Sequence, residues 1–231
     1  MLVPMASLPI VSATQGDSFL FDDFANGHPR HEGGNPEGTR WRGMAAWTLN
    51  NVDSSTVWFP SNSVARFSNF RFSWSPAVSI ISNGQWAVQT RLVLLLRVRA
   101  WNFTNMIGSY AWRTGFDWGT GRVLLGYGAD YVQSIGPLSG IHLNAECNSQ
   151  VLQGFSIAQP ASLLGKWVTA NLTLSGATQN SIVFSSIYDS EGALLFQTGG
   201  VCGAVFGSLP ARVAFFTSFG VADVDWITLT S

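Results

Sequence analysis

Val-Ala-Asp-Val-Asp-Trp-Ile-Thr-Leu (221–229) closes the chain, and Phe-Leu-Phe-Asp-Asp-Phe (19–24) stands near its start. In both, aspartates sit inside an alternation of apolar side chains, the period of a strand with one face on a core. Matched ends of this kind suit a sandwich whose first and last strands pair as neighbours. The sequence between them repeats the period. In 86–101 the even positions Val88, Leu92, Leu94, Leu96, Val98 and Ala100 are apolar. The odd positions Gln89, Arg91, Arg97, Arg99 and Trp101 are polar or amphipathic, interrupted by Val93 and Leu95. A straight strand of that length would span roughly 50 Å, so it is expected to bend or break. Val168, Ala170, Leu172 and Leu174 alternate with Trp167, Thr169, Asn171 and Thr173 in the same way. The runs 181–189 and 192–197, joined by Ser-Glu-Gly (190–192), read as a hairpin. Val213, Phe215, Thr217 and Phe219 alternate with Arg212, Ala214, Phe216 and Ser218. No 12-residue segment carries helical periodicity. These runs predict an all-β, two-sheet antiparallel sandwich.

Composition agrees. The chain has 231 residues with 24 glycines, 16 phenylalanines and 10 tryptophans, while only 11% of its residues are charged. That suits pleated, half-buried surfaces and tight turns. No linker or composition shift divides it, so the expectation is an extended arm over 1–16 and one sandwich domain over 17–231. A formal charge of −1 argues against a nucleic-acid partner, which would need a clustered basic face. The longest apolar run, 92–96, is too short to cross a bilayer. Residues 1–10 lack the basic region of a secretion signal and hold two prolines. The expectation is therefore synthesis in the cytoplasm and no membrane partner. Cys147 and Cys202 are too few for a disulfide framework and read as buried thiols. The sequons at Asn102 and Asn171 would matter only in a eukaryotic secretory route.

Three segments resemble the concanavalin A-like lectin/glucanase superfamily. Phe21-Asp22-Asp23-Phe24, followed by a polar loop and Trp41, is similar to its opening strand. Gly165-Lys166-Trp167-Val168-Thr169 with Tyr188-Asp189-Ser190-Glu191-Gly192 resembles a recurrent passage of that group. Val224-Asp225-Trp226-Ile227 resembles its closing strand. The resemblance brackets residues 17–230 and implies a jelly roll whose concave sheet binds glycans. Its members include lectins, glycosidases, polysaccharide lyases and non-catalytic modules of viral particles.

For a glycosidase the resemblance implies paired carboxylates on one strand, about 5 Å apart for a retaining reaction. Asp189/Glu191 and Asp223/Asp225 have that spacing, but neither pair has the third acid of the motif, and Asp189/Glu191 falls in a turn. For a lyase, His142 or Tyr131 would take the proton and arginines such as Arg97 and Arg99 would neutralise a uronate. No glutamate lies between those arginines, and His142 also reads as an ordinary sheet histidine. The resemblance also implies calcium where the first and last strands meet, with Asp23, Asp225 and a glycine carbonyl from 33–38 as ligands. The competing reading has these aspartates capping strands or pairing with Arg40 or Arg42. His28, His31 and Glu32 lack a fourth ligand for zinc.

The aromatic stretch 101–118 offers another kind of site. Trp101, Tyr110, Trp112, Arg113, Asp117 and Trp118 combine flat apolar rings with hydrogen-bonding groups, which suits sugar faces or a protein partner. High apolarity (mean hydropathy +0.19) and the apolar arm suggest surfaces covered by neighbours. The long polar loop 25–40 is a further point of attachment. The sequence therefore points to a non-catalytic structural or binding module, a lectin-like sandwich used for assembly or glycan attachment. The specific expectation is a phage-type virion protein (capsid decoration, tail or fibre) at a virion or extracellular surface. Its partners would be other subunits, held through the arm and the 25–40 loop, and glycan. A divergent glycoside hydrolase or polysaccharide lyase is the alternative.

Overall fold

The computed structural model describes residues 18–22, 47–50, 57–61, 64–69, 78–82, 91–104, 106–117, 121–132, 136–147, 150–158, 163–175, 181–202 and 211–230. The 1–16 arm, the 25–40 loop, Asp23, Arg40, Trp41, Arg42 and Trp118 lie outside them, as do the side chains of Tyr131, Glu146, Cys147 and Cys202. The described residues form strands β1 (Ser18–Asp22), β2 (Trp47–Asn50), β3 (Val57–Ser61), β4 (Val64–Ser68) and β5 (Val78–Ser82). There follow β6 (Arg91–Phe103), β7 (Ser109–Asp117), β8 (Gly121–Val132), β9 (Gly136–Cys147) and β10 (Gln150–Ala158). Last come β11 (Trp167–Ser175), β12 (Ser181–Tyr188), β13 (Leu194–Cys202), β14 (Arg212–Ser218) and β15 (Gly220–Thr230). No helix among them is long and apolar enough to cross a membrane.

The strands form two antiparallel sheets. One runs β13-β12-β11-β6-β15-β4-β3, with β1 also on β15; the other runs β10-β9-β8-β7-β14-β5-β2. The terminal strands are neighbours: Leu20 opposes Leu229, and Asp22 opposes Ile227. The far half of the same edge of β15 is taken by β4, where Val221 opposes Ser68.

Alternation in the sequence becomes burial in the sandwich. Leu92, Leu94, Leu96, Val98 and Ala100 of β6 join Val168, Ala170, Leu172 and Leu174 of β11 in one core. The other sheet answers with Trp112, Phe116, Val123, Leu125, Tyr127, Val213 and Phe215. Phe67 of β4 meets Phe215 of β14 across the layers, ring centroids 4.8 Å apart. Phe103 meets Tyr127 edge-on at 5.2 Å. Burial pushes the Tyr127 hydroxyl above its ordinary pKa.

At one end the chain changes sheet twice, between β6 and β7 and between β14 and β15. The two crossings are tied together. Thr104 N donates to Phe219 O (3.2 Å), and the Ser109 hydroxyl accepts from the Thr104 hydroxyl (2.7 Å). Phe219 takes φ +52°, a left-handed conformation that a bulky side chain adopts only under constraint. Gly220 comes so close to β7 that a Cβ there would lie 2.6 Å from Tyr110 O. This corner fixes where β6 ends and which side chains stand at that end of the eight-stranded sheet.

Candidate functional site

The outward positions of β6 build one row. Register places Asp223 of β15 opposite Arg99 of β6 on one side and opposite Arg66 of β4 on the other. Trp167 of β11 stands opposite Arg99. Side chains directly opposite on a face are within contact distance, so strand pairing alone assembles the row.

Asp223 is fully buried and accepts four hydrogen bonds. Arg66 donates from Nε to Oδ1 and from Nη2 to Oδ2 (2.8 Å). Oδ2 also accepts from Arg99 Nη2 and from Trp101 Nε1, both at 2.8 Å. Burial by itself raises the pKa of this carboxyl. The bonds from Arg66, Arg99 and Trp101, with the charge of Arg66, outweigh burial and hold the group below the ordinary aspartate range. The same contacts, chiefly the bond to Asp223, raise the Arg66 pKa against its own desolvation.

The guanidinium groups are layered with indoles. Arg99 lies 4.3 Å from the Trp101 ring and 4.5 Å from the Trp167 ring. Arg66 approaches Trp101 and Arg97 approaches Trp167, each at 5.2 Å. Planar guanidinium groups suit such stacking where a lysine would not. Trp101 remains 40% exposed. Its nitrogen edge is fixed by Asp223, and both guanidinium groups approach its ring.

A bulge in β15 separates its two aspartates. Val224 opposes Val98 and Trp226 opposes Arg97, leaving Asp225 as the extra residue. Asp225 Oδ2 accepts from Arg97 Nη1 at 2.9 Å. Arg40 and Arg42, the partners expected from the sequence, lie outside the described residues. Among the described residues no group of three or more His, Cys, Asp or Glu side chains converges. Asp23 and the glycines of 33–38, the other ligands expected for calcium, lie outside the described residues.

The aromatic stretch 101–118 does not converge on one place. Trp101 stands on the outer face of the eight-stranded sheet, whereas β7 belongs to the other sheet. Trp112 is 1% exposed and part of the core, opposite Tyr127. Its phase is inward, so it is a packing residue and not a ligand platform. Tyr110 and Arg113 stand on the reverse face of β7, 2% and 8% exposed, with the guanidinium 4.2 Å from the Tyr110 ring. Gly126 beneath them has no Cβ, and one placed there would lie 2.5 Å from Arg113 Cγ. Tyr110 also meets His142 edge-on at 5.9 Å. His142 is buried, its Nε2 lying 3.2 Å from Gly128 O. Asp117 ends β7, opposite Arg212 and Arg122 in register.

The remaining carboxylate pair is split by function. Asp189 Oδ1 accepts from the amides of Glu191 (2.9 Å) and Ala193 (2.8 Å), which closes the β12–β13 turn. The sequence reads Arg97 with Arg99 and Asp223 with Asp225, sets Trp167 in another run, and does not single out Arg66. Their shared signal is an outward phase in four strands, β4, β6, β11 and β15, but which strands are neighbours is not written in the sequence.

No family model matches the chain, and no curated protein sequence does. Solved structures do match. The peanut lectin aligns with a TM-score of 0.55 and 9% identity, over 84% of this chain and 92% of that one. Lectin II from Ulex europaeus gives 0.54 and 7% over 92% and 98%. The CBM2 module of the evolved Dit of Lactobacillus casei BL23 phage J-1 gives 0.56 and 10% over 92% and 94%. At such identities the likeness is one of architecture. The chain has a concanavalin A-like lectin fold, a jelly-roll sandwich of two antiparallel sheets.

Proposed function

We propose that the protein is a non-catalytic, lectin-like module that binds glycan at the Trp101 row and serves attachment or assembly in a phage-type virion. The observation that carries this reading is the Trp101 indole, 40% exposed on the outer face of the eight-stranded sheet and fixed by Asp223, Arg66 and Arg99. A ring whose rotamer is set beforehand loses little entropy when a sugar face stacks on it. Asn102, beside it on β6, is exposed and can hydrogen-bond hydroxyls. The similar structures include a lectin in complex with GalNAc and the phage CBM2 module, which supports both halves of the proposal.

Among the described residues, Asp223 and Asp189 lack what a general acid needs. A general acid needs a raised pKa and access to substrate. Asp223 has a lowered pKa and no exposed surface, and Asp189 holds a turn. The test is binding and turnover on one polysaccharide panel. Glycan binding should be measurable by calorimetry and should drop at least tenfold in Trp101→Ala, with the fold intact by circular dichroism. New reducing ends or unsaturated products released by the wild-type protein would overturn the proposal in favour of a hydrolase or lyase.

A further inference from the structure

The eight-stranded sheet is divided by charge. Arg66, Arg97, Arg99, Asp223 and Asp225 belong to β4, β6 and β15. The three strands beyond β6 on the other side, β11, β12 and β13, contain no charged residue. From 167 to 211 the sequence has only Asp189 and Glu191, both in the turn between β12 and β13. Large apolar side chains are open in this half: Ile182 of β12 is 54% exposed and Leu194 of β13 is 51% exposed. Loss of charge around exposed apolar side chains is the composition of an interface centre.

β13 is also an edge. Among the described strands it has one neighbour, β12. Its nine residues, Leu-Leu-Phe-Gln-Thr-Gly-Gly-Val-Cys (194–202), include neither a charge nor a proline. From Phe196 to Cys202 they pair with β12 without a bulge. Proteins ordinarily blunt such an edge with lysine, proline, a bulge or a short strand, because a bare row of amides and carbonyls templates a further strand.

We infer that the protein forms a two-fold dimer in which β13 pairs antiparallel with β13 of a second copy, joining the two eight-stranded sheets edge to edge. An occupant of this edge must be extended and free of proline and of repelling charge, and β13 itself meets that requirement. A two-fold axis sets a patch against its own image, which suits an uncharged patch and penalises a charged one. Direction follows from the turn acids. In the antiparallel arrangement the 189–191 turns of the two copies lie at opposite ends of the strand pair, roughly 30 Å apart and well beyond the screening distance. A parallel arrangement would set the carboxylates of both turns side by side. Antiparallel pairing also brings Leu194 of one copy to the Val201–Cys202 end of the other, where Ile182 stands on the next strand. The inference does not depend on the glycan reading, because β12 and β11 stand between β13 and Trp101 on β6.

The test is the mass of the whole chain in solution, by sedimentation equilibrium and by size-exclusion chromatography with light scattering. The wild-type protein should show twice the 25.0 kDa of one chain. Leu194→Lys and Gln197→Lys put a charge at exposed positions of the edge and should each weaken the dimer about tenfold, with circular dichroism unchanged. Hydrogen exchange gives a second readout: amides within 194–202 should be better protected at high than at low protein concentration in the wild type, and not in Gln197→Lys. A monomeric wild type would overturn the inference and leave the edge to a different chain. A dimer of equal strength in both lysine variants would overturn it too, as would exchange within 194–202 that ignores concentration.

Discussion

Asp223 shows how one residue can be expensive to bury and costly to lose. Its carboxylate is removed from water, so only its four hydrogen bonds keep it charged. Replacing it by asparagine leaves Arg66 and Arg99 facing each other. Asp223→Asn should lose about 3–5 kcal/mol in urea unfolding. The pH dependence follows from the lowered pKa. The folded state binds fewer protons at this site than the unfolded state, so its stabilisation is complete above the ordinary aspartate pKa of about 4. It is lost as pH falls through the lower folded value. The wild-type protein should therefore lose stability on acidification below about pH 4, and that component should be missing from Asp223→Asn. Identical acid profiles for the two proteins would refute this. Trp112 belongs at the same scale: truncating a ring buried between the sheets leaves a cavity, and Trp112→Ala should lose about 3–5 kcal/mol. A melting temperature unchanged in that variant would contradict its place in the core.

At the scale of elements, the crossing corner is the most constrained feature. β6 to β7 and β14 to β15 both change sheet there, joined by bonds from Thr104 and Asn69 to the 219–220 carbonyls. Gly220 leaves no space for a side chain against Tyr110 O and Ala111. Gly220→Val should destabilise the fold by roughly 1–3 kcal/mol, because β15 must move away from β7 or the bonds must break. The same substitution should reduce glycan binding indirectly, since the corner sets the end of β6 that carries Trp101. Normal stability in Gly220→Val would mean that the corner can relax. β6 itself shows why alternation persists over such a length. Its even side chains are buried from Leu92 to Ala100, while every odd one between Arg91 and Trp101 keeps some exposure. A strand in the middle of a sheet has a neighbour on each side, β11 and β15, and any slip by one residue would turn leucines outward.

For the whole molecule, closure depends on the two ends meeting. β1 covers residues 227–230 of β15, an edge that would otherwise present unpaired amides. Removing residues 1–22 should leave a protein prone to self-association, seen as a larger species by size-exclusion chromatography with light scattering. A monodisperse truncated chain with an unchanged melting temperature would show that β1 is dispensable. Period two in 86–101, 166–174 and 212–219 was enough to name the all-β sandwich and the core face of those runs, and Ser-Glu-Gly (190–192) marked the hairpin between 181–189 and 192–197. The pairing of the terminal strands was also legible, from aspartates set into both closing patterns. Local sequence determines these things because side-chain period and turn chemistry act over a few residues. It could not determine that Arg66, Arg99, Trp101, Trp167 and Asp223 share one surface, or that Tyr110, Arg113 and His142 share another. Adjacent positions such as Trp101 and Tyr110 separate because the chain changes sheet between them, whereas Asp223 and Arg66 meet across 157 positions through strand pairing. Only the tertiary structure makes those choices, since they depend on which strands are neighbours and at what register.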